Sequence, residues 1–177
     1  EAALERARGR AGHAPLSGEM ALDLALRAAD TLRRIAVDGR TVYDASVATP
    51  SLISALSASD ERLQITAASV LALVSTNALE RWGERSTSTV PAAQRAIAHV
   101  ALDGKNSKSL RVAAFESLAE SAKNNANLLE ESQVTALVTI AKEDADLTIR
   151  TAASQTLGAI NLSNNKASEI IRTYYGG

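Results

Sequence analysis

The chain contains no cysteine, which rules out a disulfide framework and any zinc site built on thiolates. Aromatic residues are scarce at 3%, with one Trp and one Phe, so the core cannot be organised around rings. Only three prolines and nine glycines interrupt 177 residues, which favours helices over many short strands. No hydrophobic run approaches the ~18 residues of a membrane span; the longest, Val70 to Val74, reads as part of a packed helix. No charge sign dominates either. A net charge of −1 lacks the basic excess that backbone binding to nucleic acid usually requires, and offers no general attraction to an anionic membrane. The chain opens on Glu1 rather than Met, as an excised fragment would, so the lack of a signal peptide carries no weight. The default expectation is a cytoplasmic protein with no membrane attachment.

What the chain does have is alanine, leucine and a repeat. Hydrophobic residues reach 46%, mostly Ala and Leu. A core rich in Ala demands close backbone approach, which helices packed ridge into groove provide. Leu63-Gln64-Ile65-Thr66-Ala67-Ala68-Ser69-Val70-Leu71 returns as Leu110-Arg111-Val112-Ala113-Ala114-Phe115-Glu116-Ser117-Leu118, and again as Ile149-Arg150-Thr151-Ala152-Ala153-Ser154-Gln155-Thr156-Leu157. The second positions, Gln64, Arg111 and Arg150, are separated by 47 and then 39 residues. Periods of roughly 40–47 residues with helical content mark paired-helix repeats.

The breaks between copies set the order of elements. Residues 1–18 read as a short amphipathic helix and a linker, and residues 19–177 as the repeat domain. A long helix is expected from about Glu19 to Val37, with a stripe at Leu24, Ala28, Leu32 and Ile35. Leu24 to Leu32 fits the repeated pattern loosely. Pro50 and Pro91 open first helices, because a missing N–H costs nothing there. Asp60, Asn106 or Ser107, and the Asp144-Ala145-Asp146 segment stand where second helices need caps. A helix from about Glu130 to Ala141 precedes the third copy, and Asn164 to Tyr175 forms the last helix. Eight additional residues in the middle spacing fall in the polar stretch around Trp82.

Asp146-Leu147-Thr148-Ile149-Arg150, followed by small residues and Leu157-Gly158, resembles the second helix of a HEAT repeat. Leu110 to Ala114 and Asp60 to Leu71 match in part, so the resemblance spans roughly residues 45–160. It implies an all-α, right-handed α-solenoid of about four antiparallel helix pairs. It also implies that the second helices line a concave groove that receives a partner. Some HEAT-like enzymes hold iron through His-Glu pairs, but no such dipeptide occurs here.

Positions one, four, five, eight and nine of the pattern form the expected buried stripe, including Ala67, Ala114 and Ala153. Positions six and seven fall off it. Phe115 is therefore expected to be at least partly exposed, with Ser69, Glu116 and Gln155 lining the same groove. The bland alternative tucks Phe115 under a neighbouring helix. Trp82, flanked by Arg81 and Arg85, is a second candidate contact for a protein or a base, or else a loop anchor. Asp146 and Arg150, one turn apart, suit an anion site, or a cap and a packing contact.

Catalytic signals are thin. His13 and His99 are the only histidines and fall in different repeats; His99 with Asp103 offers too few ligands for a metal. There is no phosphate loop and no nucleophile elbow. The expectation is a non-enzymatic protein–protein interaction scaffold with no cofactor and a protein or peptide partner. The alternatives are a HEAT-like nucleic-acid-binding module and a non-catalytic subunit of a lyase-type enzyme.

Overall fold

The computed structural model describes residues 18–38, 48–74 and 89–175. Eight α-helices, and no strand, occur among them: α1 (Gly18–Asp38), α2 (Thr49–Ala55), α3 (Glu61–Leu71), α4 (Thr89–Leu102), α5 (Lys108–Asn125), α6 (Glu131–Glu143), α7 (Leu147–Ala159) and α8 (Asn164–Ile170). A π-helical turn, Ile171–Tyr175, extends α8.

Local chemistry starts these helices where the sequence marks them. Pro50 occupies the first turn of α2. The Asp60 carboxylate accepts the Leu63 N–H at 3.1 Å, the Ser107 hydroxyl accepts the Leu110 N–H at 3.1 Å, and Asp146 accepts from Thr148 and Ile149 at 2.8 and 3.3 Å. Each satisfies N–H groups that a helix start leaves orphaned. At α6 the Gln133 side chain accepts the Glu130 N–H, one half of a capping box.

The helices sort into two rows. Within the pattern, α2 packs on α3, α4 on α5 and α6 on α7. The second helices then lie side by side, α1 against α3, α3 against α5, α5 against α7, while α2, α4 and α6 form the parallel row. Ala67, Ala114 and Ala153 are completely buried, as the stripe requires. Their small side chains let the helix backbones come close.

Position two of the pattern has one job in all three copies. Gln64 donates to the Leu56 carbonyl at 2.9 Å, Arg111 to the Ala101 carbonyl at 3.2 Å, and Arg150 to the Asp144 carbonyl at 2.6 Å. Each long polar side chain reaches back over its own turn and takes up a carbonyl freed at or just beyond the end of the preceding helix. Neighbouring units are tied along the same edge. The Ser109 hydroxyl donates to Glu61, Lys108 pairs with Asp146 at 2.8 Å, and Arg111 pairs with Asp144 at 2.9 Å. The Asp-and-Arg signature thus records packing between and within units.

A buried amide closes the opposite edge. Gln94, wholly buried in α4, donates to the Ala126 carbonyl at 3.1 Å and accepts the Leu128 N–H at 2.7 Å. Ala126 has a φ of 62°, where a side chain is disfavoured. The Gln94 amide satisfies the backbone that leaves α5 in this strained conformation. Nothing in the repeated pattern marks Gln94; the signal available was one amide inside the otherwise apolar register of α4.

Candidate interaction face

Three of the four named groove residues have outward or partly outward positions. Glu116 on α5 and Gln155 on α7 are exposed, and Ser69 on α3 is half-buried. All three occupy position seven on adjacent second helices, so they form one row across α3, α5 and α7. The Ser69 hydroxyl is turned to its own helix, donating to the Thr66 carbonyl at 2.8 Å. Glu120 and Lys123 flank Glu116 on α5, with 3.8 Å between them. On α7 the row is polar and uncharged, with Thr148, Thr151 and Gln155 all exposed.

Phe115 does not belong to this face. It is wholly buried, which overturns the expectation of an exposed ring. Its carbonyl accepts a hydrogen bond from Thr156 on α7 at 3.0 Å, which places this turn of α5 against the next unit. The physical reason lies in the width of the buried arc. At about 100° per residue, the buried positions of α5 span roughly 200° of its circumference. They do so because α5 is covered by α4 and also by α3 and α7 on its two flanks. On α7 the buried residues Ile149, Ala152, Ala153 and Thr156 span only roughly 100°. Position six is accordingly buried at Ala68 and Phe115 and exposed at Ser154.

Trp82, Arg81 and Arg85 lie outside the described residues.

The ionised groups of the face's edge are pinned by the inter-unit contacts. The Lys108 hydrogen bond, acting against burial and helped by the Thr148 and Ile149 N–H groups, holds the Asp146 carboxyl down to about 2 from its ordinary 3.8. At Asp144 burial pushes upward, but the Asp146 N–H and the Arg111 guanidinium outweigh it and leave the carboxyl below its ordinary value. Glu61 is lowered by the Ser109 and Ser107 hydroxyls. A carboxylate depressed in the folded state contributes stability that is present above its unfolded pKa and lost as pH falls through the folded one. Stability should therefore be level above about pH 5 and decline as pH drops from about 4 to 2. Urea midpoints measured across that range test this. Asp146→Asn should lower the midpoint at neutral pH and flatten the decline; an unchanged profile would count against the pinning.

Comparison with family models, curated proteins and solved structures finds no match to this chain. The residues themselves must carry the functional reading. Among the described residues no three His, Cys, Asp or Glu side chains are grouped to hold a metal ion, and His99 stands exposed on α4. No described helix is long and apolar enough to cross a membrane. The cleft between α6 and α8 has buried Val134 and Val138 in its lining and Lys166 at its side. Lys166 is already held by Glu131 at 2.6 Å and Glu169 at 3.2 Å, which raise its pKa. It is a clamp between helices and offers no reactive amine.

Proposed function

We propose that this chain is a HEAT-like, right-handed α-solenoid that acts as a non-enzymatic scaffold, binding a protein or peptide along the outward row of its second helices. The observation that carries the reading is the position-seven row. Glu116 and Gln155 stand exposed in the same register on adjacent helices that pack side by side. Repeat stacks place one such row per unit on a continuous surface, and that surface is where their partners bind. Polar residues that pack against nothing in an Ala-rich chain are free to serve recognition.

The reading specifies the partner's chemistry at one point. Glu116 and Glu120 make the centre of the row acidic, which favours a basic or hydrogen-bonding segment over a phosphate backbone. The test is affinity capture from native cell extract with the wild-type chain and with the double variant Glu116→Arg, Gln155→Arg. Wild type should retain a defined protein that the variant loses, while unfolding free energy changes by no more than about 0.5 kcal/mol, as for ordinary surface sites. Identical capture by both chains would refute the row as the binding surface. Preferential retention of nucleic acid by wild type would favour the nucleic-acid alternative.

A further inference from the structure

The two ends of the described stack are half-units of opposite kind. At one end, α1 takes the place of a second helix beside α3. The face that α3, α5 and α7 bury under their first helices is open on α1: Leu24 is 59% exposed, and Ala28 and Thr31 are exposed. At the other end, α8 follows α7 and lies on α6 through Lys166 and Glu131, in the row of first helices. Among the described residues no second helix follows it. The flank of α7 that corresponds to the α7-covered flank of α5 is open too, with Leu147 68% exposed and Ser154 and Gly158 beside it.

Among the described residues the exposed large hydrophobic side chains fall at these two ends: Met20 and Leu24 on α1, Leu147 on α7, and Ile171 just past α8. Charge is distributed to match. Within the stack Arg111 clamps its own turn and extends a second N–H to Asp144 of the following unit. Arg150 is the same residue in the last unit, already clamping its own turn, and it lies on the open flank. On α1 the exposed acids Glu19 and Asp23 lie on either side of Met20; Asp23 is paired with Arg27 of the same helix at 2.8 Å, which leaves Glu19 as the acid that matches Arg150.

From this complementarity we propose that copies of the chain associate end to end, α1 of one copy packing beside α7 and against α8 of the next. The junction repeats the contacts already made between α5 and α7 and between α6 and α7. The interface joins two different surfaces, so it is heterologous, and each copy keeps one free end of each kind. The proposal does not involve the position-seven row and stands or falls separately from the scaffold reading.

Sedimentation velocity over a range of concentrations tests it, using the full chain and the variants Leu24→Glu and Leu147→Glu. Both substitutions are at exposed helical positions, and a Glu in the first turn of α7 suits the helix dipole, so circular dichroism should show both folded. Wild type should grow beyond a dimer as concentration rises. Each variant alone should remain a monomer, because one of its ends is blocked. An equimolar mixture should form dimers and stop there, since each variant supplies the end the other lacks. A wild type that stays monomeric overturns the proposal, and is the result if another part of the same chain covers α1. So does a variant that assembles like wild type, or a mixture that remains monomeric.

Discussion

Phe115→Ala should destabilise the protein by about 3–5 kcal/mol, the range for removing a fully buried ring. The ring is at 0% exposure, among the largest buried side chains of the chain, and it sits where α5 meets α7. Truncation loses the transfer free energy of the ring and leaves a cavity that neighbouring side chains cannot all fill. Small residues are frequent in the core cluster that holds the ring, Ala114, Ala152 and Ala153 among them, and they have little reach with which to collapse into the gap. Two rigid helices would have to shift instead. Chemical denaturation of the two proteins measures this directly. A loss under about 1 kcal/mol would mean that the ring is not packed at the unit boundary as described. Phe115→Leu should recover much of the loss, because it restores apolar volume without needing the ring's shape.

Arg111→Met should cost about 2–3 kcal/mol through a different mechanism. The Arg111 side chain is 8% exposed and its Asp144 partner 16%. Methionine keeps most of the aliphatic stem, so the expected loss is mainly polar. The Ala101 carbonyl loses the Arg111 donor, and the Asp144 carboxylate keeps the Asp146 N–H at 3.0 Å without its guanidinium partner. A charged group left largely buried with its counterion removed is the costly outcome, more so than the absence of the pair as such. The double variant Arg111→Met, Asp144→Asn should therefore be more stable than the sum of the two single losses predicts. Urea unfolding of the four proteins in this cycle gives the coupling. Additive losses would show that the two side chains do not act on each other, whatever their 2.9 Å separation suggests.

These two residues show what kind of information the linear pattern carried. Periodicity, the proline-led starts and the capping residues followed from local physics: a helix start needs an acceptor three residues back, and a stripe needs spacing near 3.6. The helix starts from α1 to α8 were legible to within a few residues for that reason, and so was the complete burial of Ala67, Ala114 and Ala153, whereas α8, expected to run to Tyr175, gives way to a π-helical turn after Ile170. Position two was legible as polar and repeated, but its role was not. Only the folded turns bring Gln64, Arg111 and Arg150 onto the carbonyls of the preceding helix ends, and only stacking brings Arg111 to Asp144, 33 residues away. Phe115 marks the boundary most clearly. A single helix read in isolation has one buried face, and Phe115 is off it. The tertiary structure gives α5 three covered sides because units stack laterally, and position six becomes core. Ser154, in the same register on α7, remains exposed because no helix among the described residues covers its flank. Local interactions determined the elements; the number of neighbours around each helix, which no local pattern encodes, decided which off-stripe residues remain available to a partner.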